Sequence, residues 1–357
     1  MIRFWLILMS LMLALSLAAC QESTPAVLAP VPSASPADAP VSDWLAVYFT
    51  DPTSPTAGTY RGGPDSALAE AIGAARFSVD AAIYHLNLWS IRDALIAAHQ
   101  RGVQVRVVVE SDNLDEVEVQ DLRQAGIEVL GDRRESLMHH KFVVIDGLEV
   151  WTGSMNFTIN GAYRNDNNLL RLRSSQLAEN FTTEFEEMFV EDLFGNNIRA
   201  ATPHPALTIN GVQVETYFSP DDGVQAHIVD LIAGAQERVD FMAFSFTADP
   251  IAEALLASAG RGVAVTGVFE ESQYYSNQGG EFERLRAAGL PIYLDGNHSN
   301  MHHKVLVIDG QIVITGSYNF SRSAEEFNDE NVLILYSPEL AAEYLAEFQR
   351  VIDQAKK

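Results

Sequence analysis

With 357 residues, 47% of them apolar and 20% charged, the chain is long enough to bury large cores in two domains or a two-lobed body. Its formal net charge of −25 argues against long-range capture of nucleic acid, normally the work of a basic groove, while leaving room for a local positive site. The single cysteine, Cys20, excludes disulfides and cysteine metal sites.

In chain order, a targeting segment comes first. Arg3 leads into the apolar run Phe4 to Leu17, too short and wrongly flanked for a stable membrane span. It ends in Leu17-Ala18-Ala19-Cys20, which resembles a bacterial lipobox. That resemblance implies a signal peptide at 1–19, cleavage before Cys20 and a lipid on its sulfur. The expected location is therefore exported and lipid-anchored, on the extracytoplasmic side of a bacterial membrane; Gln21 after the cysteine is compatible with outer-membrane sorting. Residues 20–42 then read as the lipidated Cys and a Pro/Ala/Ser-rich tether. Its reach in a polyproline-like form is at most roughly 70 Å.

The first half, 43–198, opens with a predicted strand over Trp44 to Phe49 and a helix over Ser66 to Ala75. A buried strand over Phe77 to Tyr84, a helix from Leu88 to Gln100 and a strand over Val103 to Val109 follow. A helix near Asp115 to Ala125 and a short strand over Ile127 to Leu130 complete the run. Strands alternating with helical stretches of this length predict an α/β fold with a parallel or mixed sheet covered by helices.

Next comes Met138-His139-His140-Lys141-Phe142-Val143-Val144-Ile145-Asp146-Gly147, with Thr152-Gly153-Ser154-Met155-Asn156 shortly after it. Asp-Gly between two β-branched apolar runs predicts a hairpin. Alternation on a strand puts His139 and Lys141 on one face, and His140 and Asp146 on the other. An imidazole beside an ammonium on a rigid strand makes an anion site, to which the Thr-Gly-Ser-x-Asn loop can add hydroxyl and amide groups.

The second half, 199–357, repeats the plan: a strand over Val214 to Phe218, a helix over Val224 to Ala235, a strand over Arg238 to Phe246 and a helix over Ile251 to Ala259. The hairpin returns as Met301-His302-His303-Lys304 with Asp309-Gly310 and Thr315-Gly316-Ser317-Tyr318-Asn319. So long an interval between the two copies is the period of a duplicated domain rather than of a solenoid. Only four lysines occur, Lys141, Lys304 and the terminal Lys356 and Lys357. Two of four at the same point of both repeats is a functional placement. A shared Asn/Asp-rich segment follows each hairpin, and it places Asn167 after His139 at the same interval as Glu330 after His302.

His139-x-Lys141-x4-Asp146 and His302-x-Lys304-x4-Asp309, each followed by Gly-Ser-x-Asn, resemble the HxKxxxxD signature of the phospholipase D superfamily. The resemblance implies a duplicated α-β-α sandwich with pseudo-twofold symmetry and one active site between the halves. It also implies metal-independent phosphodiester hydrolysis through a phosphohistidine, with no cofactor. His139, Lys141, His302, Lys304 and Glu330 are then the catalytic set, and Asn156, Asn319, Ser154, Ser317 and Asn167 bind or support the phosphate. Asp146 and Asp309 read as structural members of the motif. The resemblance further implies that a carboxylate near this spacing orients a motif histidine; Glu330 is then expected on His302, favouring its imidazolium and making it the general acid. His139, beside the neutral amide of Asn167, is then the nucleophile.

Export beside membrane lipid and the acidic charge select phospholipid headgroup esters as substrate and a membrane surface as partner. A nonspecific nuclease is the alternative, and an inactive binding protein of the same fold comes third. A monomer without protein partners is expected.

Overall fold

The computed structural model describes residues 43–197 and 200–355. The expected signal peptide, Cys20 and most of the tether lie outside the described residues, as do Lys356 and Lys357. No helix among the described residues is long and apolar enough to cross a membrane.

The first half contributes β1 (Leu45–Phe49), α1 (Pro64–Ala74), β2 (Ser78–Ile83), α2 (Trp89–Gln100), β3 (Gln104–Val109), α3 (Val117–Gln124) and β4 (Glu128–Gly131). Then come β5 (Lys141–Ile145), β6 (Glu149–Gly153), α4 (Ile159–Tyr163), β7 (Asn168–Arg173) and α5 (Ser175–Phe189). Its seven strands run β1-β7-β6-β5-β2-β3-β4, with β2, β3 and β4 parallel and the motif strand β5 antiparallel to β2.

The second half has β8 (Ala206–Ile209), β9 (Val212–Ser219), α6 (Val224–Gly234), β10 (Arg238–Ala243), α7 (Asp249–Gly260), β11 (Ala264–Phe269) and α8 (Glu271–Ser276). It closes with α9 (Phe282–Ala287), β12 (Ile292–Leu294), β13 (Lys304–Ile308), β14 (Ile312–Gly316), α10 (Arg322–Glu326), β15 (Glu330–Tyr336) and α11 (Pro338–Gln354). The strand order β12-β11-β10-β13-β14-β15-β9-β8 is that of the first sheet plus one extra edge strand. The architecture is thus the duplicated α/β arrangement expected. Strand β8 is an addition to the predicted elements, although Asn210-Gly211, both at positive φ, is the strongest of hairpin turns.

The long helices α5 and α11 are further additions. Each starts on a serine cap, Ser174 accepting from the Leu177 amide and Ser337 from that of Leu340. Each buries one stripe: Leu177, Phe181, Phe185 and Met188 in α5, and Leu340, Tyr344, Phe348 and Val351 in α11. They cover one face of their sheets, while α1, α2 and α3, or α6, α7 and α9, cover the other. The halves share one apolar core. Phe181 meets Phe218 edge-on at 5.2 Å, and Phe49 meets Tyr344 at 5.1 Å. Each such buried ring contributes roughly 2 kcal/mol.

Both Asp-Gly turns have the expected form, with Asp146 and Gly147 at φ 54° and 60° and Asp309 and Gly310 at 52° and 63°. The aspartates do more than turn the chain. Asp146 accepts from the amides of Arg76, Phe77 and Ser78, and Asp309 from those of Gln236, Glu237 and Arg238. Each motif strand is thereby pinned to the loop entering β2 or β10. Partial burial alone would raise the Asp309 carboxyl, but the three amides overcome it and hold the group below its usual range. A depressed carboxyl adds stability above its unfolded value, and that stability is lost as pH falls through the folded one. Asp309→Ala is expected to cost about 2 kcal/mol, seen as a lower Tm whose gap to wild type closes in acid.

Candidate active site

Strand register brings the two motifs to corresponding places, for Lys141 pairs with Ile83 at the end of β2 and Lys304 with Ala243 at the end of β10. The residues just before each motif strand then cross to the other half. The His139 amide donates to the Asp329 carbonyl at 3.0 Å, and the His302 amide to the Asp166 carbonyl at 2.8 Å. The segments 165–168 and 328–331 therefore serve the opposite motif.

This crossing overturns one expectation. Glu330 holds His139, not His302: its Oε2 lies 2.7 Å from His139 Nδ1. Asn167 in turn holds His302, whose Nδ1 lies 2.9 Å from the amide oxygen and 3.0 Å from the Ser154 carbonyl. Spacing along the chain suggests a partner within the same repeat. The parallel bridges Met138–Asp329 and Asp166–Met301 exchange the partners instead.

On the opposite strand face, His140 bonds Glu184 at 2.8 Å and approaches the Asn331 amide nitrogen at 3.2 Å; His303 bonds Glu347 at 2.9 Å and approaches that of Asn168 at 3.1 Å. The side-chain oxygens of those two asparagines also accept from Thr152 and Thr315 in the other sheet. Glu184 and Glu347 are missing from the residues singled out in the sequence, though each follows its histidine at the same interval. Glycine at 153 and 316 is obligatory, since a Cβ there would lie 2.4 Å and 2.1 Å from the carbonyls of Asn168 and Asn331.

Ser154 and Ser317 prove to be supports. Ser154 Oγ donates to the Asn167 amide oxygen at 2.8 Å and accepts from the Asn168 amide; Ser317 Oγ accepts from that of Asn331. By contrast the side-chain oxygens of Asn156 and Asn319 and Oε1 of Glu330 are buried with no protein partner. Such orphaned atoms are where a polar ligand fits. Two aromatic rings pack on the motif histidines. Tyr84 meets His139 at 4.7 Å with Lys141 over its ring, and Phe244 meets His302 at 4.5 Å with Lys304 over its ring. Neither ring is among the site residues expected from sequence. The neighbouring His85 bonds Glu116.

Four basic groups are buried here, and both lysines lower the affinity of both histidines for protons. Burial comes first, then Lys141 and Lys304, in holding His139 well below the usual imidazole range. His302 is lowered in the same way, by burial and then by Lys304, Lys141 and His139. The crossed partners, Glu330 on His139 and Asn167 with the Ser154 carbonyl on His302, tie each motif to the other half. Burial brings Lys141 down to about 7, opposed by Glu330, and lowers Lys304 as well. Burial raises Glu330 to about 7 against the pull of Lys141. An anion bound beside the two lysines would relieve this repulsion, so the cluster suits a phosphate-like charge.

The family model described as "Cardiolipin synthase, PLD-like domain" matches residues 68–189 and again 228–352. A protein named mitochondrial cardiolipin hydrolase, from Chlamydomonas reinhardtii, is 28% identical over 182 residues, covering 44% of this chain and 81% of its own length. A phospholipase D of Rickettsia bellii is 33% identical over 133 residues, covering 37% of this chain and 66% of that one. Other curated relatives are likewise matched over about half to two thirds of their length. The phosphatidylserine synthase of Haemophilus influenzae Rd KW20 shares the fold, with a TM-score of 0.66 at 14% identity, over 82% of this chain and 84% of that chain.

Proposed function

The chain belongs to the phospholipase D-like family, and on that premise we propose that this phosphodiesterase hydrolyses phospholipid headgroup esters through a phosphohistidine on His139. The observation that carries the reading is the unequal pairing of the two motif histidines, a carboxylate on His139 and an amide on His302. Accepting from Nδ1–H, Glu330 fixes the tautomer that leaves the His139 Nε2 lone pair free. It also balances the positive charge that the ring gains on forming an N–P bond. His139 thus keeps the role of nucleophile on a different ground from the neutral neighbour that sequence suggests. His302, held by two neutral acceptors, gives up an Nε2 proton more readily.

Once the anionic phosphodiester is bound, its charge offsets the neighbouring lysines and His302 takes up a proton on Nε2; His139 Nε2 then attacks phosphorus as the P–O bond to the headgroup breaks, and the departing oxygen takes that proton. In the second step water attacks phosphorus and passes a proton back to His302 while the N–P bond breaks, releasing phosphatidate. Lys141, Lys304, Asn156 and Asn319 hold the non-bridging oxygens. In His302→Ala, a phosphodiester with a p-nitrophenol leaving group needs little acid help, so labelled phosphoryl should accumulate on residue 139. Label recovered on His302 of the wild type would overturn the assignment. Release of choline from phosphatidylcholine vesicles tests the substrate, and degradation of plasmid DNA alone would turn the reading towards a nuclease.

The pH profile of kcat/KM should be a narrow bell around neutrality. Glu330, raised to about 7, must be ionised, so activity climbs as pH rises through that value. Lys141, lowered to about 7, must be charged, so activity declines above it. The limbs belong to the coupled pair. Glu330→Gln should erase the acid limb and move the basic one to lower pH, because Lys141 loses the carboxylate that opposes its lowering; an unchanged acid limb in that variant would remove Glu330 from the mechanism.

Export with a lipid on Cys20 belongs to the same proposal and is supported by Leu17-Ala18-Ala19-Cys20. Radiolabelled palmitate is expected in the wild-type chain expressed in a bacterium and absent from Cys20→Ser.

A further inference from the structure

Each motif carries a second histidine, His140 or His303, that takes no part in the reaction above. Both rings are fully buried, and both reach a side chain of the other half. A buried polar ring is costly unless its nitrogens are bonded, and here all four are.

Two adjacent residues of one half meet two adjacent residues of the other. His139 and His140 leave the backbone on opposite sides, as do Glu330 and Asn331. On one side His139 Nδ1 meets the Glu330 carboxylate at 2.7 Å; on the other His140 Nδ1 meets the Asn331 amide nitrogen at 3.2 Å. The same double clasp joins His302 and His303 to Asn167 and Asn168, at 2.9 Å and 3.1 Å.

The outer pair, His140 with Asn331, is tightly held. The Asn331 amide donates to Ser317 Oγ at 2.9 Å, and the Asn331 carbonyl accepts from the Ser317 amide at 3.0 Å. Its side-chain oxygen accepts from Thr152 of the first half at 2.9 Å, which leaves the NH2 group for His140. An NH2 group only donates, so His140 Nδ1 accepts and the ring proton sits on Nε2, 2.8 Å from Glu184 Oε1. Burial lowers His140 to about 4, which keeps the ring neutral in that tautomer. Burial, then Asp221 and Asp222, raises Glu184, yet a carboxyl oxygen accepts from Nε2–H in either charge state.

The inner pair has less support. Glu330 gives Oε2 to His139, while Oε1 has no protein partner. The aim of the carboxylate therefore depends on where the main chain of 330 stands, and the anchored neighbour Asn331 fixes that. Misplacing an orienting group by ~1 Å can cost about a hundredfold in rate.

We propose that His140 and Asn331 are positioning residues: their bond across the halves holds Glu330 in line with His139, and Glu184 keeps His140 in the tautomer that makes the bond. The proposal rests on the reading of Glu330 as the group that orients the nucleophile His139.

His140→Phe keeps a ring against Phe142 and Phe218 while removing both nitrogens. Hydrolysis of bis(p-nitrophenyl) phosphate reads the effect without a membrane or a headgroup. The substitution is expected to lower kcat by about ten- to hundredfold and to leave KM within about twofold. In the Glu330→Gln background it should cost no more than about twofold, because no carboxylate remains to be aimed. His303→Phe, whose clasp serves Asn167, should keep its full effect in that background. Equal fold-losses from His140→Phe in the two backgrounds, no loss beside the native Glu330, or a His303→Phe loss that also vanishes would each overturn the positioning role and leave the hydrolase reading intact. Should a thermal melt show His140→Phe unfolded, Thr152→Val removes only the hydroxyl bonded to Asn331. It is expected to lower kcat about three- to tenfold, again only where Glu330 is present, and additivity there would overturn the role equally. A kcat for Glu330→Gln alone within about twofold of wild type would overturn both this role and the nucleophile reading.

Discussion

Alanine at position 139 is expected to lower kcat by roughly four to six orders of magnitude, the loss seen when a covalent nucleophile is removed and only binding and charge stabilisation remain. The physical ground is the loss of the sole lone pair that Glu330 prepares. His302 has no carboxylate to balance a phosphorylated ring, so it does not substitute. The neighbouring imidazole His140 is no replacement either, because it points to the other strand face and is bound to Glu184. The fold should persist, since His139 contributes its main-chain bond to Asp329 whatever its side chain. Single-turnover kinetics with a labelled diester, read beside a thermal melt, would check both halves of the statement. Residual activity within about a hundredfold of wild type would mean that the nucleophile is elsewhere.

Glu330→Gln carries the second-largest expected effect, a fall in kcat of about a hundred- to ten-thousandfold. The amide can present its NH2 group to His139 Nδ1, which stabilises the tautomer with its lone pair at the wrong nitrogen. The change also removes the negative charge bonded to the ring when the N–P bond forms. Both losses act on the chemical step, so KM should move little while kcat collapses. Asn167→Ala, which withdraws one of two neutral acceptors from His302, is expected to cost far less. Comparable losses from the two changes would mean that the histidines divide the work evenly.

Much of this site is legible from the residues in order. The repeated His-x-Lys, the Asp-Gly hairpins and the Thr-Gly-Ser-x-Asn loops are local signals, set by strand alternation and by turns that need positive φ, and they reappear at the expected positions. Glu184, Glu347, Asn168 and Asn331 are within reach as well, because each pair recurs at the offset that separates the two motifs. Strand β8 and the helices α5 and α11 have their own cues, in Asn210-Gly211 and in two serine-capped apolar stripes.

The partner of each histidine is a different kind of fact. Glu330 follows His302 within its own repeat, yet its carboxylate reaches His139, 191 residues away. Periodicity and spacing report what a segment does with its own neighbours, and they determined the fold class, the duplication and the two cationic strand faces. Which half supplies the carboxylate depends on how two separately twisted sheets meet across a shared core and exchange main-chain bonds, Leu137 and His139 with Asp329, and Asn300 and His302 with Asp166. Only the tertiary structure decided that, because the free energy that sets it is spread over packing between the halves rather than written into either one.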